Sequence, residues 1–427
     1  MPKYFNIHIM QIQRDFYLQQ LIDGKQNGLI KIITGIRRCG KSYLLFTLFY
    51  QYLKNSGVTE DHIIKIALDD IESADLRDPL SLYKYVKAKM VDEDLYYILL
   101  DEVQLVARFE EVLNSLLRMD NADVYVTGSN SKFLSSDIIT EFRGRGDEIR
   151  LYPLSLSEYC DGTGLKPYEA WKDYYTYGGL PHVLTLETEK KKLDYLSNLF
   201  ESVYLLDILE RHRVKNKSEF EDLVRIVASS IGAPTNTAKL SNTFKSVKKV
   251  AISYNTIDKY LGYMQDAFII EKATRFDIKG KKYIGSLAKY YFTDMGLRNA
   301  VLGLRQQEES HIMENVIYNE LRRRGCKVDV GIMEQRYVSK DGKWQRKQLE
   351  VDFVVNEGSQ KYYIQSALAM PDEEKRKQEM ASLLRIGDSF KKIIIVKDDI
   401  KPWTDENGIL TIGLMDFLMG DTKDLNI

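Results

Sequence analysis

The chain has 427 residues, 44% of them hydrophobic and 29% charged, with a formal net charge of -1. That length divides into two to four cores, and the near-neutral balance excludes wholesale attraction to nucleic acid, leaving only local basic patches. No apolar run reaches the length of a membrane span and the start MPKYFNIHIM is no secretory signal, while the isolated cysteines Cys39, Cys160 and Cys326 suit a reducing cytoplasm and form no zinc knuckle.

In chain order, Asn6 to Gly28 carries Arg14, Phe16, Leu18 and Leu21 and reads as a weak helix that could cover a nucleotide base. Leu29 to Thr34 is an apolar strand and Tyr43 to Leu53 has helical spacing. Between them lies Gly35-Ile36-Arg37-Arg38-Cys39-Gly40-Lys41-Ser42, which fits the phosphate-loop pattern of two glycines followed by Lys and Ser. Glycine lets backbone N–H groups approach phosphate oxygens at a helix N-terminus. Residues Gly35 through Tyr43 are therefore the expected nucleotide cradle, with Lys41 on the outer phosphates and Ser42 as a magnesium ligand. Cys39 enters it as a small residue.

His62 to Leu68 alternates as a second strand, and a helix follows from about Leu80 to Met90. The run Tyr96 to Leu100 then delivers Asp101-Glu102 to the C-terminal end of a buried strand, where ligands of open parallel sheets sit. Asp101 suits a magnesium shell and Glu102 suits the activation of water; the bland alternative for the pair is an acidic helix start. A helix from about Leu105 to Met119 leads to the strand Val124 to Thr127, which ends in Gly128-Ser129-Asn130. Ser129 and Asn130 are polar groups able to sense a terminal phosphate. Next come Arg143 and Arg145 in Glu141-Phe142-Arg143-Gly144-Arg145-Gly146. An arginine against a transferring phosphoryl group is worth ~10³ to 10⁵ in rate, and the sequence does not choose between these two, nor between them and a solvated basic turn.

Ser155 to about Val214 is helical and tyrosine-rich, broken by Gly178-Gly179-Leu180-Pro181. From Ser218 to Leu304 two helical patterns precede the short strand-like stretches Ile270 to Phe276 and Lys282 to Ile284, an order that reads as a winged helix. Lys245, Lys248, Lys249, Lys279, Lys281 and Lys282 are its candidate DNA phosphate contacts, with packing on the rest of the chain as the equal alternative. In the last part, the helix His311 to Arg324 bears Glu314, Asn315 and Glu320, and two strands hold Glu350 to Val355 and Tyr362 to Ala367.

The order of loop, acidic strand end and polar strand end resembles the AAA+ branch of phosphate-loop ATPases. With GIRRCGKS, LLDEVQ, TGSN, the FRGRG-to-LYPLS segment and YGGLP in order, nearly the whole chain resembles a bacterial and archaeal AAA-type ATPase family with a C-terminal domain of unknown function. The resemblance implies Mg²⁺-dependent ATP hydrolysis, with Glu102 activating water and Ser129 and Asn130 at the sensor positions. The last segment resembles a restriction-endonuclease-like fold in which Glu314 and Asp352 match, but Gln365 and Ala367 stand where an acid and a lysine belong, so that fold is expected to be inactive.

The expected architecture is α/β multidomain. It has a phosphate-loop parallel-sheet core at 1–155, a helical lid at 156–217, a winged helix at 218–305 and the nuclease-like domain at 306–427. ATP and Mg²⁺ are the expected ligands, and DNA, a protein partner or a second copy the expected macromolecular partners, with no membrane. A DNA-binding regulator or defence switch with slow turnover, or an ATP-dependent nuclease, is the alternative function.

Overall fold

The computed structural model describes residues 12–128, 142, 144–249, 251–305, 308–338 and 341–420. The chain forms two compact units, one of residues 1–154 with 180–182, the other of 155–179 with 183–427.

The first unit opens with α1 (Asp15–Asp23) and β1 (Ile30–Thr34). The helix after the loop, α2, runs through Lys41–Tyr43, a π-helical stretch Leu44–Phe49 and Tyr50–Asn55. Then follow β2 (Ile63–Ala67), α3 (Pro79–Lys89), β3 (Tyr96–Asp101), α4 (Phe109–Leu116), β4 (Ala122–Thr127) and β5 (Gly146–Arg150). The sheet order is β2-β3-β4-β1-β5 and every pairing is parallel. β1 and β3 are buried along their whole length, as expected of strands covered on both faces. Ile32, Ile98, Leu100, Val124 and Val126 share one core with Leu82, Val86, Leu113 and Leu116 of the helices, each contributing roughly 1.5–3 kcal/mol when buried. Lys31 interrupts the apolar run of β1, and its buried ammonium pairs with Asp123 and donates to the Leu29 carbonyl at 2.8 Å.

The topology carries the functional consequence. β4 lies between the strand that enters the phosphate loop and the strand that ends in Asp101, so three strand ends converge on one edge of the sheet.

The second unit contains α5 (Leu156–Thr163), α6 (Pro167–Tyr177) and α7, which runs through Glu189–Leu199, a π-helical Phe200–Leu205 and Leu206–Arg211. It continues with α8 (Lys217–Ser229), α9 (Thr237–Thr243), α10 (Tyr254–Asp266), β6 (Ile270–Asp277), β7 (Lys282–Phe292), α11 (Met295–Val301) and α12 (Glu309–Arg323). Last come β8 (Lys327–Val338), β9 (Trp344–Glu357), β10 (Gln360–Ala367), α13 (Glu373–Leu383), β11 (Lys391–Val396), β12 (Trp403–Thr404), β13 (Ile409–Gly413) and α14 (Leu414–Met419).

The two strands read as a short wing are longer than expected and are not free. β6 pairs antiparallel with β7 from Ile270↔Phe292 onward and parallel with β8 at Arg275↔Val330. Together with the later strands they form one sheet in the order β12-β13-β11-β10-β9-β8-β6-β7. The β-prone run ending in Tyr290-Tyr291-Phe292 extends β7 well past Ile284, and its last residues are buried in the sheet.

The Gly178-Gly179 break has a specific cause within this unit. Asp294 caps α11 by accepting from Leu297 N at 2.9 Å, and its other oxygen accepts from Gly179 N at 2.8 Å. A Cβ on Gly178, whose φ is +76°, would fall 2.2 Å from Asp294 Oδ1, so only glycine fits. Burial pushes the Asp294 carboxyl up to about 6, against the opposing N–H donors. A carboxyl raised in the folded state stabilises fully below about pH 4 and loses that contribution as pH rises through its folded value. Asp294→Ser retains a capping oxygen that does not titrate. The stability advantage of the wild type over Asp294→Ser, read from urea midpoints, is therefore larger at pH 5 than at pH 8, by about 1.4 kcal/mol, one pKa unit's worth. An advantage independent of pH would contradict it.

Candidate active site

The loop after β1 is held in a conformation that only its glycines allow. Gly35 has φ +138° and a Cβ there would lie 2.2 Å from the Leu151 carbonyl oxygen, while Gly40, at φ +102°, begins α2. Arg38 is also left-handed, with φ 65°. Ile36 and Cys39 are buried, Arg37 and Tyr43 half-buried, and Arg38 and Ser42 exposed. Lys41 is only 5% exposed, and its ammonium donates to the Gly35 carbonyl at 3.0 Å and the Ile36 carbonyl at 3.1 Å. It is thus stationed inside the loop as a point charge. The Cys39 thiol is pushed up by burial, with Lys41 and Arg14 opposing, and it packs as a small residue near the Leu151 carbonyl.

Arg14 braces this loop from behind. Its guanidinium donates to the Cys39 carbonyl at 3.2 Å and to the Tyr152 carbonyl at 2.7 Å, and it lies over the Tyr17 ring. Tyr17 in turn accepts from Tyr152 N at 3.1 Å. Arg14 therefore ties the loop to the chain leaving β5, a role its sequence setting did not disclose.

Across the sheet end, Asp101 is 4% exposed and accepts from the Thr127 hydroxyl. Burial raises its carboxyl, the nearby Thr127 and Ser42 hydroxyls oppose the rise, and Glu102 and Asp69 add to it. Thr127 does two things at once: it donates to Asp101 and accepts the Glu102 backbone N–H at 3.0 Å. Glu102 has φ 52°, a left-handed backbone that a side chain rarely adopts, and its carboxylate bonds to Gln104. The acidic strand end and β4 are thereby joined through groups 25 and 26 positions apart in the chain.

Sequence reasoning brought Lys41, Ser42, Asp101 and Glu102 to one place, and the structure puts them at one edge of the sheet. It missed Thr127 and Gln104; a hydroxyl at the last position of the strand between the two motif strands was the available signal for Thr127. Ser129, Asn130 and Arg143 lie outside the described residues. Arg145 is described, and it is not beside its own loop. It precedes β5, whose Gly146 pairs with Ile30 at the start of β1, and its guanidinium donates to Asn114 at 3.0 Å. The loop begins at the other end of β1, ~16 Å along the strand at 3.3 Å per residue. Parallel pairing of β5 with β1 carries Arg145 to the end of β1 away from its own loop.

In the second unit the expected nuclease residues Glu314 and Asp352 do come together, but around Lys289 of β7. The Lys289 ammonium lies 2.8 Å from Glu314, 2.8 Å from Glu350 and 3.5 Å from Asp352. Ala367, at the position a nuclease lysine would take, is 3% exposed and packed in the apolar core. Of the lysines expected to meet DNA, Lys248 is ion-paired with Asp222 at 2.7 Å, whereas Lys245, Lys249, Lys279, Lys281 and Lys282 are exposed. No helix among the described residues is long and apolar enough to cross a membrane.

Comparison with known proteins agrees with this geometry. An AAA domain family matches residues 27–160, and a domain of unknown function (DUF8612) matches residues 168–308. An uncharacterized protein of Haemophilus influenzae is 33% identical over 414 residues, covering 96% of this chain and 98% of its own. The uncharacterized protein MJ1544 of Methanocaldococcus jannaschii is 28% identical, covering 86% of this chain and 80% of its own. A Walker-type ATPase of Pyrococcus abyssi aligns with TM-score 0.49 at 15% identity, over 68% of this chain and 96% of that one. With a built phosphate loop and a relative that matches along nearly its whole length, this chain is an ATP-binding and ATP-hydrolysing member of the AAA+ ATPase superfamily, in one family with the Haemophilus influenzae protein.

Proposed function

We propose that this ATPase works on Mg²⁺-ATP and couples its nucleotide state to movement of the second unit. The observation that carries the catalytic part is the bonded chain Asp101–Thr127–Glu102 at the sheet end, with the Ser42 hydroxyl beside Asp101. Hydroxyl and carboxylate oxygens are the hard donors magnesium prefers, and Ser42 and Asp101 already meet, so these two residues fit the ion. Bound there, Mg²⁺ supplies neutralisation of the charge that develops on the phosphates. Lys41 and the loop N–H groups between Gly35 and Tyr43 bind and orient the phosphates. Glu102 accepts a proton from the attacking water, its backbone fixed by Thr127 and its carboxylate by Gln104. Ser129 and Asn130 sense the terminal phosphate, and Arg143 or Arg145 completes the charge from a neighbouring copy.

Lys41→Ala tests the binding half. Its ATP affinity, measured by calorimetry, falls by at least about 100-fold, since the only ammonium stationed in the loop is lost; unchanged affinity would overturn the assignment.

In the second unit, the helices between Lys217 and Asp266 and the β6–β7 turn serve the DNA-contacting role expected of a winged helix, and the eight-stranded sheet, β6 and β7 included, is an inactive restriction-endonuclease-like fold. Ala367 in the core supports the inactive reading, because alanine supplies neither charge nor proton transfer. DNA is the partner that the five exposed lysines would serve, by contact with phosphates, so binding weakens steeply as salt rises; no measurable binding to duplex DNA at low salt, with or without ATP, would remove that partner.

A further inference from the structure

The carboxylates of Glu314 on α12 and of Glu350 and Asp352 on β9 converge on a single point, and that point is filled by a cation from the chain itself. Lys289 is 2% exposed and reaches all three acids, at 2.8, 2.8 and 3.5 Å. The ammonium donates to Glu314 and is ion-paired with Glu350 and Asp352, so the centre of the cluster is taken. The surroundings are built to the same end. Tyr291 donates to Glu314 at 2.6 Å, and Ser366 N donates to Asp352 at 2.9 Å. Gln365, next in the chain, has a buried side-chain oxygen without a hydrogen-bond partner. Three acids, two of them nearly buried, face one ammonium and the nearby Arg275.

Hard oxygen donors from a helix and a neighbouring strand are what a divalent cation such as Mg²⁺ or Mn²⁺ takes. A divalent ion and a buried ammonium compete for the same oxygens, and only one can be there. We propose that Lys289 is a built-in substitute for a metal ion: it occupies the centre of the Glu314–Glu350–Asp352 cluster and closes the second unit to divalent cations. The lysine missing at Ala367 is thus answered by one from another strand, placed on the acids themselves and fully engaged there. The inference deepens the reading of this fold as an inactive nuclease and rests on it only for the absence of cleavage. DNA cleavage by the wild type would sink that reading and leave the metal comparison below as the test of this one.

The experiment titrates nucleotide-free, full-length protein with Mn²⁺ alone and follows the electron paramagnetic resonance signal of the free ion. Wild type and Asp352→Asn bind the same amount, because the cluster takes no metal in either. Lys289→Met, an apolar chain of similar length, binds one Mn²⁺ more per chain, at least about tenfold tighter than any wild-type site. Adding Asp352→Asn to Lys289→Met abolishes the extra ion. Retained ATP turnover shows that Lys289→Met is folded. If it is folded and binds no additional Mn²⁺, the proposal is overturned. Should Lys289→Met fail to fold, the wild-type comparison decides: Mn²⁺ bound by wild type and lost in Asp352→Asn means the metal displaces the lysine, which also overturns it, and equal binding supports it.

Discussion

Glu102→Gln binds ATP within about twofold of the parent and turns it over at least about 100-fold more slowly. The substitution keeps shape and hydrogen-bonding capacity but removes the carboxylate proposed to take a proton from water. Binding persists because the loop, Lys41 and the Ser42–Asp101 pair are untouched, and because the Glu102 main chain stays anchored by Thr127 at 3.0 Å. Its left-handed φ of 52° is imposed by that anchor and by the end of β3, and glutamine occupies it at the same cost as glutamate. The paired measurements are calorimetric titration with ATP and phosphate release under saturating nucleotide. Parent-like hydrolysis by Glu102→Gln would mean that another group activates the water.

The second large effect concerns the arginines. Removing both Arg143 and Arg145 lowers turnover by about 10³-fold or more, the usual contribution of an arginine at a transferring phosphoryl group. Arg145 begins at the opposite end of β1 from the loop of its own unit, bonded to Asn114. On the proposed mechanism its charge serves a nucleotide held by another copy. Mixing the double arginine variant with Lys41→Ala is the direct check, since the first contributes an intact loop and the second intact arginines. Each alone is inactive, and the mixture recovers a measurable fraction of wild-type turnover that rises with protein concentration. A double arginine variant with wild-type turnover would remove both residues from the mechanism, and a mixture that stays inactive would place the arginine within one chain.

How much of this was legible beforehand depended on how local each requirement is. Gly35 and Gly40 are dictated by their own backbone angles, and the run Tyr96 to Asp101 by its burial on both faces, so the loop and the acidic strand end could be read from short stretches. The bond from Thr127 to Asp101 depends on β4 lying beside β3, and the position of Arg145 on β5 pairing with β1, which are decisions of topology rather than of neighbouring residues. The same holds for Arg14, whose partners Cys39 and Tyr152 are 25 and 138 positions away. In the second unit, Glu314 and Asp352 were recognisable in their helix and strand. Lys289 was not, because it sits in a strand that looked like a short basic wing and proved to be part of the eight-stranded sheet.

The central claim is a single Mg²⁺-dependent catalytic centre at the Gly35–Tyr43 loop. The most direct measurement is phosphate release from the purified full-length chain with ATP and excess Mg²⁺, repeated after chelation and with Asp101→Asn. Turnover is steady with Mg²⁺ and is lost on chelation and in Asp101→Asn. Turnover that continues under both conditions would contradict it.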